Sequence, residues 1–275
     1  MDDIQRGRAA TLRALHDRTL VLPNAWDAAS AAVVARAGAA AIATTSGGVA
    51  WSAGRPDGHG LTREEMAELV GRIVRMVDIP VTADIEGGYG PAPDDVAATV
   101  RAVIEAGAVG INLEDSRAPG GPLFDDHDQA ERVRAARAAA TGLELPELWI
   151  NVRTDVYLFG IGEPDGRLDD VLSRVEAYAG AGADSLFVPG LIDLSTLATL
   201  VKESPLPINT MVWPGAPTVA ELEAAGVRRI SLGTAVAQAA YGLAHRATVE
   251  LLERGTYDAL AGGLDFGVIN SAVTR

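Results

Sequence analysis

The sequence predicts a closed (β/α)8 barrel built as one domain over residues 1–275, and three features lead to it. Short Val- and Ile-rich runs alternate with Ala-rich amphipathic stretches, the pattern of parallel strands joined by helices. The runs number eight, which matches the strand count of such a barrel better than the rival open doubly wound sheet. The phrases AGA at 37–39, 106–108 and 181–183, with AGV at 225–227, recur between helix and strand, where glycine closes a helix in the left-handed conformation.

Taken in order, the first run is LVLP at 20–23, which delivers Asn24, Trp26 and Asp27; Asp27 reads as a helix cap or turn former. AAIATT at 40–45 ends in Thr45, Ser46, Gly47 and Gly48, and opens a long Gly/Pro-containing connection at 46–61. A helix at 63–76 precedes IPVTAD at 79–84, whose end carries Asp84 and Glu86 followed by GGYG. A helix at 94–106 leads to VGINLE at 109–114, with Asn112, Glu114 and Asp115, then a second long connection at 115–128. Both connections have the length and composition of lids. Helix 129–140 precedes LWINVR at 148–153, which gives Asn151, Arg153 and Asp155, the last read as a helix cap or turn former. Helix 168–179, SLFVP at 185–189, LPINTMV at 206–212 with Asn209, Thr210 and Trp213, helix 219–225 and RISL at 229–232 complete the ring. The apolar stretch GTAVAQAAYGLA from Gly233 suits burial against a partner.

Composition excludes several function classes. With 48% hydrophobic and 22% charged residues the chain supports a sizeable core. A net charge of −14 repels nucleic acid and anionic membranes, and the absence of cysteine removes thiolate catalysis and cysteine zinc sites. No run reaches the ~18 apolar residues of a membrane span, so a cytoplasmic location is expected. The glycines after Glu86 are no phosphate loop, because Lys–Ser/Thr does not follow them.

A barrel of this kind works at the C-terminal ends of its strands, so Asp84, Glu86 and Glu114 are drawn to one rim. Like charges that close raise one another's pKa unless a cation compensates them. An oxygen-only donor set points to Mg²⁺ or Mn²⁺ rather than zinc, with some carboxylates reaching the ion through water. The competing structural reading is a buried network of the three acids with Arg153. Arg153 suits a substrate carboxylate as a two-point fork, and backbone N–H groups around Ser46–Gly48 suit another anion. Arg55 and Arg117 are loop charges or rim residues. Of the histidines at 16, 59, 127 and 245, only His59 falls near the rim.

The segments PNAWDAASA, TTSGG followed by PDGHG, TADIEGGYG, GINLEDS and INVRTD, in this order and spacing, resemble the isocitrate lyase and phosphoenolpyruvate mutase superfamily from about Pro23 to the C-terminal helix. The resemblance implies a barrel with a swapped last helix, here about 234–275 on a neighbouring subunit, and a homotetramer built as a dimer of dimers. It further implies Mg²⁺ holding an oxo or enolate carboxylate, with Asp57, Asp84, Glu86 and Glu114 around the metal. By the same resemblance Ser46, Gly47 and Gly48 bind the substrate's carboxylate end, Trp26, Asp84, Arg153 and Asn209 also contact substrate, and Arg153, Asp57 and Glu114 take part in catalysis. The family usually places Asp where Glu86 stands, and DSRAPGGPLFDD replaces the Lys–Cys–Gly–His type loop of its lyase members.

The expected activity is a Mg²⁺-dependent lyase, by C–C cleavage or decarboxylation of a small 2-oxo or 2-hydroxy dicarboxylate through an enolate. The alternatives are a 2-oxo acid binding protein without chemistry, for 2-oxoglutarate or oxaloacetate, and a phosphonopyruvate-type mutase or hydrolase. His59, Tyr89 and Arg117 are the candidates by proximity for the missing acid–base group.

Overall fold

The computed structural model describes residues 3–274. Its strands are β1 (Leu20–Leu22), β2 (Asn24–Ala25), β3 (Ile42–Thr44), β4 (Val81–Asp84), β5 (Gly110–Glu114), β6 (Trp149–Arg153), β7 (Ser185–Phe187), β8 (Ile208–Met211) and β9 (Arg229–Ser231). All pair in parallel, in the order β1-β9-β8-β7-β6-β5-β4-β3-β2. The eight predicted positions and nine observed strands agree, because Pro23 has no N–H to donate and splits the first position in two. Leu20–Leu22 pairs with β9 and Asn24–Ala25 with β3, so the divided strand joins both ends of the sheet into a ring.

The helices form for local reasons that the sequence carries. Asp27 accepts from the Ser30 amide at 2.7 Å while Ser30 Oγ accepts from the Asp27 amide, a capping box that starts Ala28–Arg36. Thr62 and Glu65 make the same exchange ahead of Arg63–Met76, whose Met66, Val70, Ile73 and Val74 face the barrel. The remaining predicted helices occupy Pro93–Glu105, Asp126–Gly142, Arg167–Gly180 and Val219–Ala224. Gly38, Gly107, Gly182 and Gly226 all take positive φ between 90° and 99°, as the AGA and AGV phrases require.

The N-terminal helix Asp3–Leu15 covers the lower end of the barrel with Ala9 and Leu12. Beside it His16 stacks on Trp149 at 3.7 Å, and burial pushes the imidazole down to about 4, with Arg229 and Arg13 adding to the shift and a hydrogen bond to Leu12 opposing it.

The connection at 46–61 is not all loop: its first seven residues form the helix Ser46–Ser52, which buries Gly47, Gly48, Val49 and Ala50. Small residues let it press on the barrel; a Cβ on Gly48 would lie 2.7 Å from Trp26 Cβ. The 115–128 connection is folded by a bridge between Ser116 and Leu123 before the helix at Asp126. Ala235–Arg254 buries only Ala237 and leaves Tyr241, Leu243, Val249, Leu251 and Leu252 exposed, while Phe266–Val273 packs on Ala28–Arg36.

Candidate active site

At the C-terminal ends of the strands a cavity of about 220 Å³ runs from the rim into the barrel interior. Ser46, Asp57, Asp84 and Arg153 line it above, and Asn112, Asn151, Asn209, Thr82 and Arg229 line it further along. An adjoining hollow is bounded by Ser46, Asp57, Glu86, Glu114, Arg153 and Asp155. The fold therefore brings together Asp57, Asp84, Glu86, Glu114, Arg153, Ser46 and Asn209 of the residues singled out in the sequence.

Trp26, Gly47 and Gly48 stand behind that surface rather than on it. Trp26 packs against the core beside Gly48, and Gly47 backs onto Asp57, where an added Cβ would come within 3.0 Å of Oδ2. Of the expected anion cradle, the Ser46 amide donates to Asp84 Oδ2 at 3.2 Å.

Asp84 is held by three donors. Besides Ser46 it accepts from the Glu86 amide at 3.2 Å and from Asn112 Nδ2 at 3.3 Å. Its own amide donates to Thr44 Oγ1 at 2.8 Å, which locks the strand end. Below it Asn151 Nδ2 donates to Asn112 Oδ1 and Asn209 Oδ1 at 3.0 and 3.1 Å, so the amides of three strands interlock.

Glu86 accepts from the His59 amide and from the Tyr89 hydroxyl, the latter at 3.0 Å. Burial pushes its carboxyl up to about 7; Asp84 and Asp57 add to the rise and the two hydrogen bonds oppose it. Three of the four non-glycine residues with positive φ among the described residues, His59, Glu86 and Tyr89, meet here, with φ of 61°, 50° and 58°. Strain of this kind gathers where surrounding structure holds a site in one shape.

Arg153 lies between two acids: Nη1 is 2.9 Å from Glu114 Oε2 and Nε donates to Asp155 Oδ1 at 2.6 Å. Burial raises the Glu114 carboxyl above its ordinary range, Arg153 opposes that rise, and Asp155, Asp84 and Glu86 reinforce it. Burial works against the Arg153 charge, but Glu114 and Asp155 outweigh it and hold the guanidinium protonated. The turn role expected for Asp155 is thus corrected: it is a buried counter-ion that also accepts from Ser116 Oγ at 2.5 Å. Its position two residues beyond Arg153 at a strand end was the available signal. Asp115 has a structural task, pairing with Arg174 at 3.2 Å and accepting from Tyr178 at 3.0 Å.

Arg117 is drawn away from the rim by Asp128 at 3.2 Å and lies over Phe124 at 4.0 Å, while Arg55 lies 3.8 Å from Glu65 on the surface. His59 Nε2 is 3.9 Å from Glu86 Oε2, and burial lowers the imidazole pKa, with Arg132 adding to the shift and Asp57 opposing it.

Five carboxylates around the rim, Asp57, Asp84, Glu86, Glu114 and Asp155, the last two paired with Arg153, make a hard-oxygen donor set that suits a divalent cation. The oxygens of Asp84, Glu86 and Glu114 do not gather within 4.8 Å, however. The only trio that does so among the described residues is Asp125, His127 and Asp128, an exposed group at the start of the helix Asp126–Gly142. The rim thus fits an ion held directly by some acids and through water by others.

The phosphoenolpyruvate phosphomutase family profile matches residues 12–252. A candidate lyase/mutase structure from Burkholderia cenocepacia J2315 superposes with a TM-score of 0.91 at 37% identity, covering 100% of this chain and 98% of that one. An uncharacterized protein of Mycobacterium tuberculosis H37Rv is 38% identical over 82% of this chain and 83% of its own. The 2-methylisocitrate lyase of Escherichia coli K12 is 30% identical over 74% and 68%, and oxaloacetate decarboxylase 2 of Pseudomonas fluorescens Pf0-1 is 32% identical over 72% and 66%. The chain belongs to the phosphoenolpyruvate phosphomutase family, within the isocitrate lyase and phosphoenolpyruvate mutase superfamily of enzymes. No helix among the described residues is long and apolar enough to cross a membrane.

Proposed function

We propose that this chain is a Mg²⁺- or Mn²⁺-dependent lyase that cleaves or decarboxylates a small 2-oxo or 2-hydroxy dicarboxylate through an enolate. The observation that carries the reading is Arg153, a buried guanidinium clamped by Glu114 and Asp155 at the mouth of a cavity sized for a small acid. Relatives named 2-methylisocitrate lyase and oxaloacetate decarboxylase, whose names specify a hydroxy tricarboxylate and a 2-oxo dicarboxylate, support a lyase of small polycarboxylates, the second of them the dicarboxylate class.

In this reading Asp84, Glu86 and Glu114 would hold the ion, some of them through water, with Asp57 beside them. The ion, when bound, supplies Lewis-acid stabilisation of negative charge on the oxo oxygen. Arg153 has Nε and Nη1 committed, which leaves Nη2 to meet a substrate carboxylate in a fixed direction. Because the clamp and the Asn112–Asn151–Asn209 network are preformed, they stabilise developing charge without reorganising. Arg117 is paired with Asp128, and His59 and Tyr89, which line a neighbouring hollow together with it, are the remaining candidates for the proton carrier.

We also propose that Ala235–Arg254, the first part of the expected region of about 234 to 275, packs on a neighbouring subunit of a homotetramer, while Phe266–Val273 lies against the chain's own Ala28–Arg36. The nearly bare apolar flank of Ala235–Arg254 supports this reading. Light scattering showing a stable monomer would exclude it.

The functional reading is tested by incubating purified protein and Mg²⁺ with oxaloacetate and other 2-oxo and 2-hydroxy diacids, and following products by NMR. Folded protein that turns over none of them refutes the lyase. Metal-dependent binding without product would mark a 2-oxo acid binder, and phosphonopyruvate turnover would mark the mutase branch.

A further inference from the structure

Arg229 is the first residue of β9 and points into the barrel, only 3% exposed, among the lining residues of the cavity. Its Nε and Nη1 are buried and have no hydrogen-bond partner, and the hydroxyl of Thr82, another lining residue, is in the same state. No ion pair within 4.0 Å reaches Arg229 among the described residues.

Every other deeply set arginine is satisfied. Arg132 donates to the carbonyls of Gly90 and Pro91 and to Gln129, Arg153 has two acids, and Arg174 has Asp115 and Asp170. A buried guanidinium with Nε and Nη1 unpaired, its burial offset only by Asp84 beyond ion-pair distance, is among the more costly states a barrel interior can hold. The neighbouring amides offer no relief, because Asn209 Nδ2 is committed to the carbonyls of Thr210 and Arg229, and Asn209 Oδ1 to Asn151. Water can meet the N–H groups but brings no charge. An anionic acceptor meets both needs.

Register sets the reach of such a ligand. Thr82 precedes Asp84 by two residues on β4, so both face inward about 6.6 Å apart along the strand. That distance is comparable to the span between the outer oxygens of an extended four-carbon diacid. We propose that Arg229 and Thr82 form an interior subsite that takes the second carboxylate of a dicarboxylate, one layer beneath the rim site that takes the first. This rests on the proposed diacid reading for the ligand's identity and goes beyond it in assigning which residues choose a diacid over a monoacid.

The test compares malate with 2-hydroxybutyrate, which share four carbons and a 2-hydroxy carboxylate end and differ in the second carboxylate. Binding is measured by calorimetry with Mg²⁺ on the wild type, Arg229→Gln and Arg229→Lys. The wild type should prefer malate by at least about tenfold, the scale of one charge-assisted hydrogen bond. Arg229→Gln should bring the two affinities together without weakening 2-hydroxybutyrate, and Arg229→Lys should restore part of the preference. A preference that survives Arg229→Gln, or its absence from the wild type, overturns the proposal.

Wild-type crystals soaked in bromide provide an arm that needs no variant. A bromide at Arg229 that malate displaces supports the subsite, whereas one that stays while malate binds elsewhere identifies a resident inorganic anion and overturns it. Loss of diacid selectivity in Arg229→Gln is read from binding and the lyase reaction from product, so either reading can fail without the other.

Discussion

Replacing Arg153 with methionine probes the clamp at the rim. Its side chain is 15% exposed, and those of Glu114 and Asp155 are 11% and 1% exposed, so the triad is buried rather than a surface ornament. Removing the shared cation strands two carboxylates, and breaking a buried pair in this way costs about 3–5 kcal/mol. Arg72→Met, which breaks an ion pair to Glu68 that is 58% and 63% exposed, should cost under about 1 kcal/mol. Urea denaturation followed by circular dichroism, with EDTA present at pH 7, reads both. The variant also acquires a pH signature. Burial already raises the Glu114 carboxyl, and without Arg153 to oppose that rise Glu114 favours the folded variant only while protonated, so stability is lost as pH rises and is regained as pH falls toward the ordinary value of 4.5. A cost below about 1 kcal/mol at pH 7, or a cost that does not shrink in acid, would refute the clamp as a buried, mutually compensated unit.

Two further outcomes follow from particular contacts. His16 is held neutral with a pKa of about 4 against 6.5 unfolded, so it contributes stability that is present above about 6.5 and lost as pH falls toward 4; at ~1.4 kcal/mol per unit this amounts to about 3 kcal/mol. His16→Phe, which retains an aromatic ring to stack on Trp149, should flatten that part of the pH–stability profile, and an unchanged difference between pH 7 and pH 4 would contradict it. Gly48→Ala places a Cβ 2.7 Å from Trp26 Cβ and 2.9 Å from Thr45 Cγ2, and should destabilise by about 1–3 kcal/mol as overpacking does, displacing Ser46 and weakening ligand binding; a variant with wild-type stability and affinity would show that the helix yields.

Much of the barrel was legible because its signals are local. Strand runs, the Asp27 and Thr62 caps and the left-handed glycines each depend on a few neighbouring residues, and the structure keeps them. Ser46–Ser52 was not legible as a helix, since SGGVAWS has little helical propensity and is held by close packing on Trp26 and the barrel. The roles of Asp155 and Arg229 were not legible for a related reason. Whether a charged residue at a strand end is a turn former, a counter-ion or an unpaired cation depends on which strands lie beside it. Asp155 meets Ser116 from 39 residues away, and Arg229 is defined by what fails to reach it. The sequence draws Asp84, Glu86 and Glu114 to one rim, while their separation depends on loop geometry fixed by His59, Tyr89 and the positive φ of Glu86.

The role of the acidic rim is most directly read by titrating oxaloacetate into wild type and Asp84→Ala by calorimetry, with Mg²⁺ and with EDTA, and assaying each sample for product afterwards. Binding that requires Mg²⁺, disappears in Asp84→Ala and is followed by product from the wild type is the expected result. Binding indifferent to both the metal and the substitution would show that Asp84, Glu86 and Glu114 form a structural network and hold no catalytic ion.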